Sequence, residues 1–128
     1  MGRISLGLGA LLLAATAILH AGGLQMVDRW AEGLPPSQAA ALRFVWISDS
    51  IDWGVAALIW AVAAWRQGAA WLAAAAIAGL IPLAGAIGVM SIDPTFFGGQ
   101  MLLGSVLLAA AGLALMFRSA SPPRPNSP

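Results

Sequence analysis

The chain has 128 residues, of which 60% are hydrophobic and 9% charged, with a formal net charge of +1 and no cysteine. A soluble domain carries roughly 25% charged residues, so these few cannot cover a water-facing surface. Disulfides, thiolate metal sites and thiol catalysis are excluded, and no arginine-rich stretch exists to follow the phosphates of a nucleic-acid partner.

Crossing the hydrocarbon of a bilayer takes about 20 apolar residues in a helix. Four segments reach that length: about Ile4 to Gly23, Ala40 to Trp65, Ala70 to Met90 and Thr95 to Phe117. The first follows Arg3, a pattern that also fits a cleaved leader ending at Ala15-Thr16-Ala17. The apolar sequence continues past that point, so a retained span is expected. The link from Gly22 to Gln38 is the longest and carries Asp28, Arg29, Glu32 and the Pro35-Pro36 pair, whereas Arg66-Gln67-Gly68 reads as a tight turn. In the third segment Ala73 to Ala76, Gly79, Gly85, Ala86 and Gly88 permit close helix approach. Pro82 removes a backbone donor there and predicts a kink near mid-membrane. Asp93 is expected to cap the fourth helix, with Pro94 at its first position. Gly104, Ala111 and Gly112 offer close approach along that helix. Residues 119–128, rich in Pro and Ser, read as a disordered cytoplasmic tail.

The expected fold is all-α: an integral membrane four-helix bundle over residues 1–118 with antiparallel up-down topology. Arg3, Arg66, Arg118 and Arg124 fall on one side with no acid among them. Arg29 falls on the other with Asp28, Glu32 and Asp93, and Arg43 stands at the mouth of the second helix. The positive-inside rule then places both termini in the cytoplasm. Trp65 and Trp71 would form an inner aromatic belt, with Trp30 at the outer interface. The absence of lysine and the abundance of Ala and Gly point to a GC-rich bacterial genome, and so to a bacterial inner membrane.

Function is read from polar residues placed where lipid should exclude them. Ser48, Asp49, Ser50 and Asp52 lie inside the second segment, where an acid at mid-membrane costs about 2.5–3.5 kcal/mol. At 1.5 Å per residue, Asp49 sits roughly 9 Å and Asp52 roughly 13 Å deeper than Arg43, and their side chains project about 60° apart. His20 reaches the same level from the first helix. These residues predict an outward-facing pocket with His20, Asp49 and Asp52 as binding groups, Arg43 beside them and Trp46 and Trp53 as walls. A His–Asp pair would bury both charges most cheaply. The plainer readings are Asp93 as a cap, Arg43 as an interfacial anchor, and the stripe of Trp46, Trp53 and Trp60 as packing.

Three functions fit this pattern. The first is binding or transport of a proton, a cation or a small polar or amphipathic ligand. The second is an enzyme acting on a lipid or quinone-like substrate, with His20 as general acid or base and Arg43 as anion contact. The third is an accessory subunit of a membrane complex or a homo-oligomer. No catalytic set or cofactor is specified: there is no metal-ligand spacing, nucleotide loop, nucleophile elbow or haem motif.

Overall fold

A chain this apolar satisfies its backbone polar groups most cheaply within helices. The computed structural model describes residues 1–120. It contains α1 (Gly2–Gly22), α2 (Leu24–Trp30), α3 (Pro36–Arg66), α4 (Ala69–Ala78), α5 (Leu80–Ile92) and α6 (Phe97–Ala120). No strand occurs among the described residues. Four helical stretches are long and apolar enough to cross a membrane: α1, α3, α4 and α5 together, and α6.

Several boundaries depart from the sequence reading. The link after α1 holds a further short helix, α2, whose Val27 is buried. α3 begins at Pro36 rather than near Ala40, because a proline at N1 costs no hydrogen bond. α6 begins at Phe97, so Asp93 is not its cap and Pro94 is not its first residue. Asp93 Oδ1 instead accepts from the Thr95 backbone N–H at 2.9 Å and the Thr95 hydroxyl at 2.7 Å, closing a local turn. The first bond of α6 then runs from the Gln100 N–H to the Phe96 carbonyl, 3.2 Å away. α6 continues past Phe117 to Ala120, which takes Ser119 out of the expected tail; residues 121–128 of that tail lie outside the described residues.

The helices lock together end to end. Arg3, at the start of α1, donates from Nε to the Ala64 carbonyl at 2.9 Å in the last turn of α3. A cation there complements the negative end of the α3 dipole. At the far end of α1, His20 bonds Ser50 of α3 at 2.9 Å. α1 meets α6 even more closely. A Cβ built on Gly112 would lie 2.5 Å from the Leu6 backbone nitrogen, and one on Gly9 would lie 2.9 Å from the Ser105 carbonyl oxygen. The Ser5 hydroxyl reinforces this seam by donating to the Leu108 carbonyl at 2.7 Å.

The third apolar stretch is broken at Gly79, three residues before Pro82. Proline leaves the carbonyl four residues earlier without its helical donor, which loosens this turn. Trp60 is wedged against the break: its indole is 1% exposed and donates to the Ala75 carbonyl at 2.9 Å. Below the break α4 packs chiefly on α3, and above it α5 packs chiefly on α6. α3 and α5 are therefore only loosely packed, and a pocket lies beside them.

Gly112→Ala should destabilise the bundle by about 1–3 kcal/mol, as overpacking against fixed backbone does. Gly54→Ala, where an added Cβ meets nothing within 4 Å, should cost nothing measurable. Reversible unfolding in mixed SDS micelles compares the two.

Candidate functional site

The pocket beside α5 measures about 850 Å³ and is bordered by α1, α2, α3, α5 and α6. α3 supplies Trp46, Asp49 and Trp53, spaced by three and four so that they share one helix face. α1 supplies Thr16, Leu19 and His20, and Met26 reaches in from α2. The opposite wall is apolar, with Ile81, Gly85 and Val89 of α5 facing Phe96, Phe97 and Met101. Gly85 keeps the wall thin: a Cβ there would lie 3.5 Å from Trp53 Nε1 and 3.6 Å from Leu102 Cδ1.

His20 is held by three residues of α3. Its ring stacks on Trp46 at 3.7 Å between centroids and meets the edge of Trp53 at 4.7 Å. The Trp46 indole N–H donates to the backbone carbonyl of His20 at 2.7 Å, which ties the end of α1 to α3. This fit needs Gly23 at the corner, because a Cβ there would come within 2.8 Å of the Trp46 ring. The Ser50 hydroxyl donates to the Trp46 carbonyl at 3.2 Å. His20 Nδ1 and Ser50 Oγ share a hydrogen bond at 2.9 Å, so Nε2 is the ring nitrogen left over in either tautomer.

Two further polar groups keep unused capacity. No hydrogen bond or ion pair within the described residues engages the Asp49 carboxylate. The Trp53 indole N–H likewise has no acceptor there. Both residues border the pocket.

Of the six residues singled out from sequence, His20, Asp49, Trp46 and Trp53 are brought together. Asp52 is exposed and lies off the lining; its 60° offset from Asp49 carries it past the edge of the pocket face. Arg43 also lies off the lining. It donates from Nε to Asp28 Oδ1 at 2.6 Å, joining α3 to α2, with side chains 45% and 51% exposed. The expected His20–Asp ion pair is not formed, since Ser50 takes the imidazole and Asp49 faces the cavity. Trp60 belongs to the core and not to the site. Sequence reasoning missed Met26, Phe96, Phe97 and the α5 wall. Phe96 and Phe97 directly after Asp93-Pro94-Thr95 were the signal for an aromatic rim, but they read as ordinary span residues.

Among the described residues no group of three or more His, Cys, Asp or Glu is placed to hold a metal ion. No protein-family model matches the chain, and neither the curated proteins nor the solved structures searched contain a match.

Asp93, in the exposed link between α5 and α6, is a second ionisable feature. The Thr95 hydroxyl and then the Thr95 backbone N–H hold its carboxyl below the usual carboxylate range. Its folded pKa being depressed, the turn's contribution is present above about pH 3.9 and is lost as pH falls through the lower folded value. The Thr95 amide resonance should therefore titrate with a midpoint below about 3.9, and Asp93→Ala should remove that transition from NMR spectra.

Proposed function

We propose that this chain is a multi-pass protein of a bacterial inner membrane that binds or carries a small amphipathic ligand in an outward-facing pocket. The helices run up and down in antiparallel order, with both termini cytoplasmic. The reading is supported by the clustering of charge. Arg3 lies against the end of α3 that carries Arg66, and Gly2 lies against the last turns of α6, next to Arg118. Asp28, Arg29, Glu32 and Asp93 belong to the opposite links. The positive-inside rule then assigns the arginine end to the cytoplasm and the pocket to the outer half.

One observation carries the functional reading. A mostly apolar pocket gathers three polar groups with spare hydrogen-bonding capacity, His20 Nε2, the Asp49 carboxylate and the Trp53 indole N–H. A concave apolar site with a few convergent polar groups is the usual form of a small-molecule site. The apolar lining of α5 and α6 accommodates a ligand's apolar body, while the polar cluster fixes its head.

Binding can be read from the protein's own indoles. An uncharged bromoalkyl alcohol, 11-bromoundecanol, should quench Trp46 and Trp53 fluorescence saturably in nanodiscs. Gly85→Leu, which fills the wall beside Trp53, should remove the saturable component. Gly88→Leu, where an added Cβ meets nothing within 4 Å, should keep it. Quenching that rises linearly in the wild type, as simple partitioning into lipid does, contradicts a binding site.

The orientation has its own check, because the chain holds no cysteine. Ser37→Cys should react with a membrane-impermeant maleimide from the outside of intact cells. Ser119→Cys should react only after permeabilisation, and the reverse pattern would invert the topology.

A further inference from the structure

Charge balance inside the pocket narrows the ligand. Asp49 brings a carboxylate to an apolar wall, and an uncompensated charge in such surroundings is costly. None of the arginines among the described residues lines the pocket. The nearest in sequence, Arg43, is held by Asp28, and Arg29 donates from Nε to the Gln25 carbonyl at 3.5 Å. His20 is the one basic group of the lining and lies within electrostatic reach of Asp49, but it spends Nδ1 on Ser50 and forms no ion pair with the carboxylate. The other walls are aromatic: Trp46, Trp53, Phe96 and Phe97 border the same space. Aromatic faces carry negative potential and attract large, weakly hydrated cations.

We infer that the occupant is a lipophilic organic cation, an amphipathic amine or quaternary ammonium whose charged centre lies by Asp49 among the indole rings and whose apolar body lies along α5. This rests on the pocket reading proposed above and names its substrate class. A small metal cation fits poorly, for it needs several oxygen ligands, and Asp49 is the one carboxylate among the lining residues. An anion would meet a like charge. A neutral ligand would leave the carboxylate with His20 as its one charge partner in the lining and no ion pair.

The test isolates charge at constant shape. Benzyltrimethylammonium and neopentylbenzene differ in one atom, a cationic nitrogen against a neutral carbon. Each competes with 11-bromoundecanol for the wild-type protein in zwitterionic nanodiscs, read as recovery of Trp fluorescence. The ratio of their half-effective concentrations is compared between wild type and Asp49→Asn, so that partitioning into lipid cancels. The cation's advantage should fall at least about tenfold in Asp49→Asn, as expected when a desolvated cation loses its counter-charge. Asp49→Glu should retain it, which separates charge from a damaged fold. Asp52→Asn should also retain it, because Asp52 stands off the lining. Equal ratios in wild type and Asp49→Asn, with both compounds competing, would overturn the cationic ligand and leave the pocket intact. Saturable quenching by the alcohol with no competition from the ammonium would overturn it as well. Failure of all three compounds to bind saturably would remove both the ligand class and the pocket reading.

Discussion

The break in the third apolar stretch is the constraint on which the rest of the structure depends. Pro82 cannot donate within the helix, and the turn before it yields at Gly79. Trp60 stabilises the result with one indole hydrogen bond to the Ala75 carbonyl, where the large ring is fully packed. Below this point small residues let α4 lie against α3, with Ala56, Ala63 and Ala75 all at 0% exposure. Above it α5 leans on α6. The break at Gly79 adjoins the pocket wall that begins at Leu80 and lies about 9 Å along the helix from Gly85, taking six helical residues.

The distribution of hydrogen bonds marks the site as different from the rest of the bundle. Elsewhere the polar side chains of the spans are satisfied locally. Ser105 donates to the Leu102 carbonyl, Ser48 to the Phe44 carbonyl and Ser91 to the Gly88 carbonyl. No buried side-chain nitrogen or oxygen among the described residues lacks a partner. Asp49 and the Trp53 N–H escape that economy because they face a cavity rather than a neighbouring helix. Polar groups in such settings are expensive to keep unless something uses them.

Much of this was legible in the chain, because a helix needs only length and apolar content to declare itself. Four long runs, the turn at Gln67 and the disturbance near Pro82 follow from local rules, and so does the shared face of Trp46, Asp49 and Trp53. Tertiary direction was less legible. A 60° offset between Asp49 and Asp52 was compatible with one cavity, yet only Asp49 borders the pocket and Asp52 stands exposed outside it. The partner of His20 depended in the same way on which neighbour of Asp49 pointed at α1. Phe96 and Phe97 reach the site through a turn that Asp93 closes with Thr95, a choice between cap and local turn that the residue types alone leave open.

The Arg43–Asp28 pair has a bearing on the bilayer itself. Along α3, the twenty-three steps from Arg43 to Arg66 measure about 35 Å. Hydrocarbon thicker than that would have to strip water from the pair or from Arg66, and both side chains of the pair are half exposed. Desolvating charges costs far more than thinning lipid by an ångström or two. The spacing of these two arginines therefore sets a ceiling of about 35 Å on the hydrocarbon that α3 can cross upright, a few ångströms above an ordinary bilayer core of about 30 Å.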